Sequence, residues 1–212
     1  MENSVRVSLG YLRHLASWKP FTDPNSALGN VAFQSGEDTN DGVRSLTAMV
    51  TDRYRIVMRT DSDSNTVWEN NLPSGEKFLM SMTQLVQFVT ATKATKNVSG
   101  VFVDVTWTEG ELTISGLGSV VTDRNPKWSY PKVDTLVSEW TVTDNPVGTT
   151  GFDVTRVGDF AKIISPKTGK KYVPSWKFEQ GKGSSPERAG AYRLTNVDDA
   201  NVVALIQPML IK

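Results

Sequence analysis

Along most of the chain apolar and polar residues alternate with the period of two that a half-buried strand requires. The runs are rich in Val, Thr, Trp, Phe and Tyr and are broken by Gly, Asn, Asp and Pro. Three segments switch to helical spacing. In "SLGYLRHLASW" Leu9, Leu12, Leu15 and Ala16 share a face and Ser8 is the expected N-cap. In "SMTQLVQFVTATK" Ser81 and Gln84 have capping-box spacing before a stripe of Met82, Leu85, Phe88 and Val89. In "DVTRVGDFAKII" Asp153 is the cap, and Val154, Val157, Phe160, Ala161 and Ile164 are expected to face inward.

A short apolar strand precedes each helix ("VRV", "KFLM", "GF"), and alternating strands follow it. After the first come "NVAFQ", "RSLTAMVT" and "YRIVMRT"; after the second, "VFVDVTW", "ELTISG" and "SVVTDR"; after the third, "YVPSWKFE", "AYRLTNV" and "VVALIQPMLI". A strand–helix–three-strand unit of roughly 60–75 residues thus occurs three times. Connectors poor in apolar residues, "TDSDSNTVWENNLPSGE" and "SEWTVTDNPVGTT", separate the copies. One unit has a single helix to cover a small sheet, so two side by side are needed for a well-buried domain. The expected class is α+β.

Composition narrows the chemistry. Lys plus Arg and Asp plus Glu each number 23 in 212 residues, so no global positive field draws the chain to nucleic acid, and contact with DNA needs basic residues gathered on one surface. No cysteine is present, which excludes disulfides, thiolate metal sites and cysteine nucleophiles. The N-terminus lacks the charged and apolar regions of a signal peptide, and no apolar run reaches membrane-spanning length. A soluble cytoplasmic protein with no membrane contact is expected. His14 is the only histidine and no nucleophile elbow surrounds any serine. The acidic "GEDTNDG" lacks EF-hand spacing and reads as a solvated loop, and "GKGSS" lacks the residue order of a phosphate loop. The sequon Asn97-Val98-Ser99 is a pattern without meaning inside a cell. Neither an enzyme nor a cofactor or metal is expected.

Three stretches, taken with the repeat, resemble the bacterial-type DNA sliding clamp, the beta subunit of the replicative polymerase. "VTDRYRIVM" is similar to a family hairpin that carries part of the partner-docking pocket. "SYPKVDTLV" is similar to the segment that ends the family's middle domain, and "VVALIQPMLIK" to its last strand. The resemblance implies a DNA-clamp fold of three strand–helix–three-strand units with helices on one face of antiparallel sheets. Residues 1–147 would form one complete clamp-like domain (units 1–75 and 76–147), and 148–212 half of the next. A shortened, virus-encoded version is the form this implies. The chain departs from the pattern at Gln207, where the family commonly has Met, at Leu210, where it has Arg, and at Lys212, past the usual end; these changes bear on ligand preference.

The resemblance also assigns surfaces. A partner-peptide groove would include Leu28, Thr51, Arg53, Tyr54, Arg55, Ile56, Pro131, Leu136, Leu205, Gln207, Pro208, Met209 and Leu210. Its partners would be a DNA polymerase and a clamp loader that insert apolar anchors from short peptides. Arg13, His14, Lys19, Lys93, Lys96, Arg156, Lys162 and Lys167 would face double-stranded DNA from the helices, through diffuse phosphate attraction without base readout. The implied ring has twelve units, which four chains of three would supply, so a homotetramer is expected. The rival reading is a clamp-fold adaptor or decoy that binds peptides without encircling DNA. Within "TAMVTDRYRIVMRT" a hairpin is expected: Asp52 stabilises the turn, Arg53 avoids positive φ, and Tyr54 and Arg55 are rim contacts of the groove.

Overall fold

The computed structural model describes residues 3–38, 44–62, 66–96, 98, 100–108, 110–124, 130–144, 150–165, 170, 175–184 and 189–209. The first unit is β1 (Asn3–Ser8), α1 (Leu9–Ala16), β2 (Asn30–Asp38), β3 (Arg44–Thr51) and β4 (Arg55–Asp61), with β5 (Val67–Asn70) in the connector. The second is β6 (Lys77–Ser81), α2 (Met82–Ala91), β7 (Phe102–Trp107), β8 (Glu111–Gly116) and β9 (Ser119–Arg124), followed by α3 (Val133–Ser138). The third is α4 (Val154–Gly158), a 3₁₀ turn at Asp159–Lys162, then β10 (Trp176–Gln180), β11 (Tyr192–Asn196) and β12 (Val202–Ile206).

Serine caps make the abrupt passage from strand to helix. Ser8 Oγ accepts the Tyr11 N–H at 3.1 Å and Ser81 Oγ accepts the Gln84 N–H at 3.4 Å. The second half of the capping box does not form. Gln84 is buried and donates through Nε2 to the carbonyls of Leu112 and Val121, at 2.8 and 3.1 Å, which ties α2 to β8 and β9.

A five-stranded antiparallel sheet has the order β5-β1-β7-β8-β9, and a seven-stranded one the order β10-β11-β12-β4-β3-β2-β6. The first two units exchange their opening strands: β1 pairs with β7, and β6 with β2. Each unit's edge is covered by the other, so neither sheet is complete alone. The main core lies between the sheets and the two long helices. Phe33 stacks on Phe78 at 4.5 Å and Phe78 on Trp107 at 4.0 Å, an aromatic line from the seven-stranded sheet to the five-stranded one.

The third unit differs from its expected form. Its opening strand is a single bridge, Gly151 with Met209. Asp153 does cap the helix, accepting from Thr155 N–H at 2.9 Å. After Gly158, however, the chain tightens into a 3₁₀ turn, and the inward period shortens from 3.6 to 3. Phe160 and Ile163 are therefore the buried pair, whereas Val154 and Ala161 are exposed and Ile164 is only half-buried. The connector "TDSDSNTVWENNLPSGE" hides the strand β5, and "KVDTLVSEW" contains the helix α3.

α1 buries His14, which the resemblance placed among the DNA-facing cations. Its ring stands edge-on to Trp18 with centroids 5.0 Å apart, and Nδ1 donates to the Ile164 carbonyl of the third unit. A residue four positions before Trp18 on the core side of the helix cannot reach solvent. Burial, then the nearby Arg59 guanidinium, lower its pKa from 6.5 to about 3. The unfolded chain binds this proton near pH 6.5 and the native state does not, so stability is lost as pH falls below 6.5. Urea titrations between pH 6.5 and 4.5, above the carboxylate range, are expected to show a slope approaching about 1.4 kcal/mol per pH unit from this group. His14→Gln, which keeps a donor, removes it; an unchanged slope in the variant contradicts the assignment.

Candidate functional site

The hairpin "TAMVTDRYRIVMRT" folds as β3, a turn at Asp52–Tyr54, and β4. Asp52 Oδ1 accepts the N–H groups of Tyr54 and Arg55 at 3.1 and 2.8 Å, the expected role of an aspartate in a turn. Arg53 does take positive φ, at 79°, against expectation. Thr51 Oγ1 accepts its N–H at 3.2 Å, and the chain spends the strain to reverse direction within the tight loop.

Strand parity then divides β4 between two faces. Arg55, Val57, Arg59 and Asp61 point into the interior; Ile56, Met58 and Thr60 point to the opposite, outer face. β12 pairs with β4 antiparallel, placing Leu205 opposite Ile56 and Val203 opposite Met58. On the outer face these residues join Ala32, Met49 and Leu79 beneath Tyr130, Val133 and Val137 of the α3 segment, forming a second, smaller core. Tyr130 is buried there, which raises its hydroxyl pKa against a hydrogen bond with the Thr51 backbone.

A cavity of about 360 Å³ opens between the hairpin tip, α3 and β12. Leu28, Thr51, Arg53, Tyr54, Arg55, Ile56, Pro131, Leu136, Leu205 and Gln207 of the expected groove all line it. Val133, Trp140, Lys182 and Ala191 line it too, unforeseen from sequence. The helical spacing of Val133, Leu136, Val137 and Trp140 is the signal that could have revealed the α3 wall. Pro208 and Met209 follow β12 but are not among the lining residues, and Leu210 lies outside the described residues. The exposed side chains of Tyr54 and Leu136 stand at the mouth.

Arg55 borders the cavity but is no rim contact, because its parity sends the guanidinium to the inner face. It donates to Asp52 Oδ2 from Nε and Nη2 at 2.9 and 2.7 Å, and to Asp159 Oδ2 at 2.6 Å. The carbonyls of Arg156 and Pro20 accept at 2.9 and 2.7 Å, and the group lies over Phe21, 4.6 Å from the ring centroid. Burial alone would raise the Asp159 carboxyl, but hydrogen bonds from Arg55 and Lys162 hold it below the ordinary range.

On the helix side the cations divide. Lys19, Lys93 and Lys96 are exposed near the C-terminal ends of α1 and α2. Lys162 is exposed but paired with Asp159 at 2.6 Å. Arg13 instead closes α2, donating to the Thr92 and Thr95 carbonyls at 2.8 Å each. Arg156 packs over Tyr54, 3.7 Å from the ring centroid, and sits 3.6 Å from Asp153. Lys167 lies outside the described residues. Among the described residues no group of His, Cys, Asp and Glu could hold a metal ion, and no helix is long and apolar enough to cross a membrane.

This arrangement of exchanged strands, paired helices and a sheet running on into the next unit is the DNA sliding-clamp fold. The chain is similar over 99% of its length to the DNA polymerase sliding clamp of Bacillus subtilis, with TM-score 0.57, 11% identity and 64% of that chain covered. The DNA polymerase III beta subunit of Thermotoga maritima gives TM-score 0.59 at 11% identity, covering 99% of this chain and 66% of that one. The sliding clamp of Bartonella birtlesii, solved bound to griselimycin, gives 0.56 at 14% identity, covering 99% and 66%. The chain therefore spans slightly less than two thirds of the length of these clamps. No protein-family model and no curated protein matches it.

Because Arg55 ties its own hairpin to the third unit, Arg55→Met is expected to cost about 3–5 kcal/mol by leaving half-buried Asp52 without its cation and buried Asp159 with Lys162 alone. Urea denaturation measures it. A loss below about 1 kcal/mol, the value of a surface pair, would mean that Arg55 is a solvated rim group.

Proposed function

We propose that the chain is a DNA sliding clamp, a processivity factor that encircles duplex DNA and docks polymerase and loader peptides in the outer-face cavity. The observation that carries the reading is the cavity itself. In a clamp fold, an apolar pocket opens at the seam between the first and third units, with an aromatic and a leucine exposed at its mouth. Such a pocket suits one or two apolar anchors of an extended peptide. In this reading the role is non-enzymatic, and the cavity contributes shape and apolar burial.

Residues 1–147 act in this reading as a complete clamp-like domain and 148–212 as half of the next. The first two units complete each other by exchanging opening strands. The third has three sheet strands of its own and an opening segment reduced to one bridge. It would be completed by the third unit of a second copy, and β9, an edge strand in this chain, would meet β9 of another. Alternating contacts of like with like close at four chains. Lys19, Lys93 and Lys96, with Lys162, would supply the diffuse positive charge that lets DNA slide.

An adaptor that binds peptides without encircling DNA is favoured by one observation. Arg13, His14 and Arg156 are engaged within the chain, which thins the helix-side charge. Primer extension by the DNA polymerase of the same genome, under single-encounter conditions, separates the two. A clamp lengthens the products several-fold, and Leu136→Asp, at an exposed groove position, removes the gain without lowering the melting midpoint. Products of equal length with and without the wild-type chain contradict the proposal.

A further inference from the structure

Beyond Trp140 the outer face holds a second cavity, of about 380 Å³, lined by residues that include Thr47, Thr60, Asp134, Trp140 and Arg193. Trp140 is the wall it shares with the apolar cavity. The indole is fixed in place: its Nε1–H donates to the Ala191 carbonyl at 2.8 Å, and Arg193 lies over the ring at 5.6 Å. The two cavities are therefore neighbours on one continuous surface, one mainly apolar and one of mixed lining that adds Met58 and Val137 to its polar groups.

The polar groups of the second cavity are unequally satisfied. Thr47 and Thr60 hydroxyls bond each other at 2.9 Å, and Asp134 has Lys77 at 3.9 Å. Arg193 is different. On β11 it stands opposite Leu205, which lines the apolar cavity, and its Nε–H is buried with no acceptor among the described residues. A buried guanidinium donor without an acceptor is costly, and a carboxylate satisfies it best because two parallel N–H···O bonds can form. The charge at the apolar cavity has the same sign. Lys182 is exposed on its lining with no ion pair among the described residues, and Arg53 reaches Asp23 only at 3.5 Å while largely exposed.

We infer that the docking segment bound by this chain carries, beside its apolar anchors, an Asp or Glu that crosses Trp140 and pairs with Arg193 in the second cavity. This rests on the apolar cavity being a peptide groove, and it adds the partner's charge and a specificity-determining residue. Lys77 screens Asp134 on the far wall, so the net preference is for an acid rather than a base.

The test uses the full chain and a phage-displayed random dodecapeptide library. Wild type is expected to enrich peptides in which Asp or Glu occupies a fixed position relative to Leu, Phe or Met anchors. In a resynthesised fluorescent peptide from that selection, Asp→Asn weakens binding about tenfold, as loss of a charge-assisted bond does. On Arg193→Gln the two peptides bind within about twofold of each other, which isolates the pair. Arg193→Lys keeps the charge without the fork and restores part of the discrimination. Enrichment of anchors with amides, bases or no fixed polar residue would overturn the inference, as would undiminished acid preference on Arg193→Gln. Leu136→Asp serves as the separate control. If it leaves peptide enrichment intact, the groove reading itself fails, whatever Arg193 does.

Discussion

The structure depends on one seam, the antiparallel pairing of β4 with β12, and on the two buried arginines that β4 carries across it. Arg55 holds Asp52 in its own hairpin and Asp159 in the third unit; Arg59 holds Asp61 beside it and Asp199 in the third unit. Burial opposes the charge on Arg59, but its two carboxylates outweigh that and raise its pKa. Burial above all keeps Tyr11 protonated and His14 neutral, aided by the Asp61 carboxylate for Tyr11 and by the Arg59 guanidinium for His14. A buried ion pair adds little over an apolar replacement, yet losing one partner leaves an uncompensated charge. Such networks fix one arrangement of units and make the alternatives expensive.

The groove is the other face of that constraint. Because side chains alternate along a strand, a β4 that turns Arg55 and Arg59 inward must turn Ile56 and Met58 outward. β12 supplies Leu205 and Val203 at matching register, and α3 roofs the result. Latch and pocket are therefore set together: a one-residue slip of β12 would bury neither set properly. The second cavity follows from the same register, since β11 places Arg193 opposite Leu205.

Local features were legible in the sequence because their causes are local. The serine caps at Ser8 and Ser81, the Asp153 cap, the Asp52 turn and the four expected strands in each of the first two units all rest on neighbours a few residues apart. Most of the cavity lining was legible through resemblance. The illegible parts have distant causes. Arg55 read as a rim contact because its acceptor on Asp159 lies 104 residues away, and nothing in "TDRYR" announces it. His14 looked like a surface cation until the Ile164 carbonyl, 150 residues on, and the core packing claimed it. The shortened helix of the third unit escaped notice because a change of period at Gly158 leaves the apolar composition intact.

The proposed encirclement of DNA is a topological link, and retention on DNA tests it directly. The chain would be loaded onto bead-bound nicked circular DNA with the loader proteins of the same cell, then washed in high salt. An encircling chain stays on the circle and is released when a restriction enzyme linearises the DNA. Equal salt release from circular and linear DNA would contradict it.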